Sequence, residues 1–228
     1  MKYSLFIACA FFSASSFCLS ETRLGNYFFG FGINGIEHSR SYWEKDNNGT
    51  TWTPQERNME GFSFEMSLNI PLSDSFDLNL GVSRSDFSDD NVSDHLNQAN
   101  ADLIFRYNRI MRESGFLLPF VGIGVQYSSY KIGNWNSDQK FNSVHISNKE
   151  KFHLKVQTGA ELYLNDEITL TPSMSYVNRL FLDAHNDFIF DVSLTWLATR
   201  RNALSLAFSK YVDSKASSIG LEYLHSWK

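Results

Sequence analysis

Phe152-His-Leu-Lys-Val-Gln-Thr-Gly-Ala-Glu-Leu-Tyr-Leu164, then Asn165-Asp166-Glu167, then Ile168-Thr-Leu-Thr-Pro-Ser-Met-Ser-Tyr176 is the stretch that decides the fold. Leu154, Val156, Ala160, Leu162 and Leu164 share one phase of a two-residue period, and Lys155, Gln157, Gly159 and Glu161 hold the other. That is the pattern of a strand with two unlike faces. After a short polar reversal the alternation resumes, with Ile168, Leu170, Met174 and Tyr176 against Thr169, Thr171, Ser173 and Ser175. Two long strands joined by a tight turn make one hairpin of a larger β structure.

The same pattern extends outward over ten segments. Gly61 to Ile70 is the cleanest, with Phe62, Phe64, Met66, Leu68 and Ile70 alternating with Ser63, Glu65, Ser67 and Asn69. Asn26 to His38, Phe76 to Ser83, Ala99 to Asn108 and Phe116 to Tyr130 precede or follow it, and Asp187 to Leu197, Asn202 to Val212 and Ser217 to Trp227 complete the set. Pro71 to Ser75, Asn165 to Glu167 and Ala198 to Arg201 read as short turns, and Asn108 to Gly115 as an intermediate one. Ser39 to Glu60, Arg84 to Gln98 and Lys131 to Lys151 read as long polar loops. Short turns at one end and long loops at the other predict a closed antiparallel up-and-down transmembrane β-barrel of about ten strands, with the turns periplasmic.

A soluble barrel or sandwich would point its apolar phase inward. Two features weigh against it. The segments are near the length a tilted strand needs to cross hydrocarbon, whereas soluble strands centre on about five or six residues. The polar phase is rich in Gly, Ser, Thr and Asn rather than Lys and Glu, which suits a narrow interior. Tyr27, Tyr107, Tyr127, Tyr176, Trp196, Tyr223 and Trp227 fall near strand ends on the apolar phase, where amphipathic rings meet headgroups.

Composition narrows the function classes. Residues 1–20 carry Lys2, an apolar run from Leu5 to Phe12 and a small-residue site near Ser20, the form of a secretory signal peptide; residues 21–228 form the barrel domain. Cys9 and Cys18 both lie in that leader, so the exported chain has no disulfides. Without Lys2 it carries 19 basic against 25 acidic residues, a formal charge of −6, which argues against nucleic acid as a partner. No apolar run of about 18 residues follows the leader, which leaves a closed barrel as the way to span a bilayer.

The run Pro119-Phe-Val-Gly-Ile-Gly-Val-Gln-Tyr127, with Gly159-Ala-Glu-Leu-Tyr-Leu-Asn-Asp-Glu-Ile-Thr-Leu170, resembles the OmpA/Opa-like outer-membrane β-barrel superfamily. The alternating close at Trp227 resembles the aromatic signal read by barrel-assembly machinery, although Lys228 follows it. The resemblance implies location in a bacterial outer membrane and a barrel of typically eight strands, so eight is the alternative to the ten counted.

The inferred lumen holds Glu65, Asp77, Asp102, Arg106, His153, Lys155, Glu161, Asp191 and Glu222. In so narrow a barrel these predict a salt-bridge and hydrogen-bond plug; their acidic excess alternatively predicts a cation-preferring constriction. Gly30, Gly32, Gly122 and Gly124, two residues apart, relieve crowding inside rather than cradle phosphate. An omptin-like protease is the enzyme reading: Asp86, Asp89 and Asp90 in one loop and Asp183-Ala184-His185 in another supply an acidic set and a carboxylate-oriented base. The omptin Trp-Thr-Asp-type signature is missing. His38, His95, His145 and His225 are too scattered for a metal cluster, and no cofactor motif appears.

The chain therefore reads as a non-enzymatic surface or envelope-structural barrel. Its expected partners are membrane lipid, the assembly machinery at the last strand, and an extracellular ligand at loops bearing Tyr42, Trp43, Trp52, Tyr130 and Trp135. A narrow passive pore for small solutes or cations is the first alternative and the protease the second.

Overall fold

The structure, a computed structural model, describes residues 26–45, 52–88, 93–132, 149–179, 186–199, 201–213 and 215–227. Ten strands follow in order: β1 (Phe28–Lys45), β2 (Trp52–Pro71), β3 (Phe76–Ser88), β4 (Ser93–Arg106), β5 (Leu117–Ile132), β6 (Lys149–Tyr163), β7 (Ile168–Arg179), β8 (Asp187–Leu197), β9 (Asn202–Tyr211) and β10 (Ser217–Ser226). Each pairs antiparallel with its sequence neighbours, and β1 pairs with β10 to close the barrel. Ten strands, not eight, make the wall.

Side chains segregate by phase. On β2, Phe62, Phe64 and Met66 are exposed outward while Ser63, Glu65, Ser67 and Asn69 are buried. On β8, Phe188, Phe190, Val192, Leu194 and Trp196 face out and Asp187, Asp191, Ser193 and Thr195 face in. The outward run from Phe62 to Ile70 covers about 27 Å of strand and, at a tilt of about 40°, about 21 Å of height. An apolar belt of that height encircles the outside.

Three tight turns close one end, here the turn end, and share one device. Ser73 Oγ accepts from the N–H groups of Ser75 and Phe76 at 3.3 and 3.2 Å. Asn165 Oδ1 accepts from Glu167 and Ile168, both at 2.8 Å. Thr199 Oγ1 accepts from Arg201 and Asn202 at 3.3 and 3.1 Å. A short side chain at the head of each turn satisfies backbone donors that the ladder cannot reach.

The segment expected as an intermediate turn contains a short helix, α1 (Asn108–Ser114), between β4 and β5. Asn108 Nδ2 donates to Asp74 O, Arg109 pairs with Glu113 at 3.0 Å, and Gly115 takes φ +75° just past the last turn. A glycine in that conformation is the usual stop for a helix.

The opposite, loop end departs further from expectation. Much of Ser39 to Glu60 is strand: the β1–β2 ladder runs on through eight pairs, from His38↔Met59 to Lys45↔Trp52. On either side β10 stops at Ser217↔Glu37 and β3 stops at Glu60↔Ser88, so a two-stranded hairpin rises above its neighbours. Likewise β3 and β4 pair up to Ser88↔Ser93, so much of the expected Arg84 to Gln98 loop is strand. A two-stranded hairpin that has left the wall is held by backbone pairing, which persists without apolar alternation in the sequence to announce it. Tyr42, Trp43, Trp52 and Tyr130 accordingly lie in strands, and Trp135 lies outside the described residues. The leader likewise lies outside them.

Candidate functional site

The lumen is the place where polar chemistry concentrates. Glu65, Asp77, Asp102, Arg106, His153, Lys155, Glu161 and Asp191 are all buried inside the wall, and Glu222 is half-buried beside them. The structure does not gather them into one cluster. It sets most of them in local contacts, two of which reach across an intervening strand.

Two ion pairs anchor the β3–β6 side. Arg106 Nη2 donates to Asp77 Oδ1 at 2.5 Å, with side chains 2% and 1% exposed. Lys155 Nζ donates to Asp102 Oδ2 at 2.9 Å. Lys155 on β6 and Asp102 on β4 are both cross-strand partners of Gly124 on β5, so the ion pair crosses over that glycine. A Cβ on Gly124 would collide with Asp102 Oδ1 and lie 2.6 Å from Ala101 O. The glycine supplies the floor the pair needs.

The β1–β2–β10 side repeats the device. Ser67 Oγ donates to Glu222 Oε1 at 2.6 Å, and a Cβ on Gly30 would strike both oxygens. Gly32 pairs with Glu65 on one side and Glu222 on the other, so two carboxylates flank it. Elsewhere Tyr163 donates to Glu161 Oε2 at 2.6 Å, His153 Nε2 meets Ser128 Oγ at 2.8 Å, and Thr195 donates to Ser205 at 3.0 Å. In a medium of low dielectric such bonds are strong when made and costly when missing.

Sequence reading by phase missed the apolar residues that face inward. Phe28, Leu224 and Ala203 form a buried cluster at the turn end, with Leu197 against it, and Ile104, Leu118 and Phe120 are buried on β4 and β5 toward the same end. Toward the loop end Ile36, Met59 and Phe87 cluster with Leu96, and Val177, Ile189 and Ala216 are buried on the far side. The signal was present as apolar residues standing on the otherwise polar phase, near both strand ends. Buried charges stand at the same levels: Asp77 pairs with Ile104 and Glu161 with Leu118 at the turn end, and Asp94 with Phe87 and Asp187 with Val177 at the loop end.

Of the residues of the enzyme reading the structure describes Asp86 alone. Asp86 faces outward, where its Oδ1 meets His95 Nδ1 at 2.5 Å and Arg84 Nε at 3.3 Å. Asp89, Asp90, Asp183 and His185 lie outside the described residues. Among the described residues no three His, Cys, Asp or Glu converge to hold a metal ion.

No protein-family model matches the chain, and no curated protein matches its sequence. Among solved structures the barrel is similar to the outer membrane protein OprG from Pseudomonas aeruginosa, at 15% identity and TM-score 0.43 over 91% of this chain and 98% of that one. It is similar to the translocator domain of the autotransporter NalP from Neisseria meningitidis, at 10% identity and TM-score 0.49 over 90% and 89%. A third similar barrel is Ail, the attachment invasion locus protein of Yersinia pestis, at 10% identity and TM-score 0.40 over 90% and 100%.

Proposed function

We propose that the chain is a bacterial outer-membrane barrel with a sealed lumen, non-enzymatic, which acts through its surface at the loop end. The observation that carries the reading is the pair of inward apolar sections, Phe28, Leu224 and Ala203 at one end and Ile36, Met59 and Phe87 at the other. At each end inward apolar side chains narrow a lumen whose carboxylates stand beside them, and apolar constrictions oppose conduction. The Arg106–Asp77 and Lys155–Asp102 ion pairs then serve stability, each compensating two charges where the bilayer offers no solvent. The apolar belt supplies the lipid contact, the turn end faces the periplasm, and the tall β1–β2 hairpin offers a partner its outermost backbone.

A narrow cation-preferring pore is the second reading, favoured by Glu65 and Glu222 flanking Gly32. Single-channel recording of the refolded protein in a planar bilayer separates the two. Sealing predicts a silent bilayer from a sample whose unboiled and boiled bands migrate differently. Reproducible steps that fall in Glu65→Gln would establish the pore instead.

A further inference from the structure

Gly30 and Gly32 leave the inner face of β1 bare, and two carboxylates lean over it. A Cβ on Gly32 would lie 2.9 Å from Glu65 Oε1, and one on Gly30 would collide with Glu222 Oε1. Glu65 on β2 and Glu222 on β10 thus reach toward each other from the two strands that flank β1. Three other lumen acids have a counter-group: Arg106 for Asp77, Lys155 for Asp102 and the Tyr163 hydroxyl for Glu161. Glu222 has the Ser67 hydroxyl, and among the described residues no basic group pairs with either Glu65 or Glu222. Two uncompensated carboxylates away from bulk water are costly.

One step above Gly32, Asn34 pairs across the ladder with Ser63. Both residues are 0% exposed, and the Asn34 amide stands beside the Glu65 carboxyl. Asn34 Oδ1 and Nδ2, Ser63 Oγ and Glu65 Oε2 are all buried without a partner in hydrogen-bonding geometry. Buried polar atoms are rarely left so. Asn79 is unpartnered too, but its neighbour Asp102 already has Lys155. At Asn34 the orphaned oxygens stand with orphaned charge, and Asp191 adds a further negative charge from β8.

We infer that Glu65, Glu222, Asn34 and Ser63 bind one hard divalent cation inside the wall. The two carboxylates balance its charge, and the amide and hydroxyl oxygens complete an all-oxygen set. Oxygens carried on separate strands suit the larger, irregular shell of calcium better than the small octahedron of magnesium. The ion bridges β10, β1 and β2, the seam at which first and last strands close the barrel. The site goes beyond the sealed-lumen reading, which adds that the ion enters as the barrel folds.

The test is the metal content of the protein refolded in detergent with calcium chloride and magnesium chloride, passed through a column containing EDTA and read by native mass spectrometry. One retained calcium per chain is expected, with a higher urea midpoint than for protein refolded in EDTA. The Glu65→Gln, Glu222→Gln double variant keeps the side-chain shapes and should retain at least about tenfold less calcium, the weight of a charged ligand. It should also lose the calcium-dependent shift. Asn34→Ala leaves both carboxylates in place and should weaken retention by a smaller factor. Retention of neither ion by a parent with heat-dependent migration, or retention unchanged in the double variant, would overturn the site while leaving the barrel intact. A parent without heat-dependent migration would instead defeat the barrel reading, and the site with it.

Discussion

Lys155 shows most directly what a single residue does in this lumen. Its ammonium is 1% exposed and meets Asp102, itself fully buried. Lys155→Ala should lower unfolding free energy in detergent by about 3–5 kcal/mol, because it orphans a buried carboxylate. A Lys155→Met, Asp102→Leu double variant should recover most of that loss, and urea titration of the folded band reads both. Gly124→Val should cost about 1–3 kcal/mol through the collision with Asp102 and the Ala101 carbonyl. A Gly124→Val protein as stable as the parent would remove the glycine floor from the account. The charges themselves were legible in the sequence as members of one phase. Their pairing was not, since Lys155 and Asp102 stand 53 residues apart, and Ser67 and Glu222 stand 155 apart. Only the barrel's register sets those partners side by side.

At the scale of the element, legibility follows the solvent. Between Phe62 and Ile70 the outer face is apolar and the lumen face polar, and strict alternation in the sequence shows it. Phe64→Arg, placed in the middle of the belt, should destabilise the barrel by about 2–4 kcal/mol, against a few tenths for the same change at the outer rim. Measuring unfolding of Phe64→Arg beside Glu60→Arg checks this depth dependence. Above Glu37 and Glu60 the β1–β2 hairpin leaves its neighbours, the sequence loses its apolar alternation, and the strands read as loop. The helix α1 was hidden for another reason. Its seven residues have no room for an apolar period, and its signals were an Asn at the start and a Gly after the end. The turn devices were readable in principle: Asn165→Ala, which removes two bonds of 2.8 Å, should cost about 1 kcal/mol in the same titration.

At the scale of the molecule, three layers follow from one alternation: an apolar belt outside, a wall of ten paired strands, and paired charges within. Inward apolar residues broke the alternation at strand ends, where Phe28, Phe120 and Leu224 stand on the polar phase. The central claim is that the exposed phase of each strand meets lipid and the buried phase does not. The chain's cysteines are Cys9 and Cys18, so protein made without residues 1–20 accepts single cysteines on a clean background. The deciding measurement is spin-label accessibility at positions 62 to 68 of β2 in lipid vesicles, comparing oxygen, which concentrates in lipid, with a water-soluble nickel complex. The account predicts high oxygen accessibility at Phe62, Phe64, Met66 and Leu68 and low accessibility to both reagents at Ser63, Glu65 and Ser67. Oxygen accessibility on the Ser63 phase, or nickel accessibility on both phases, would contradict it.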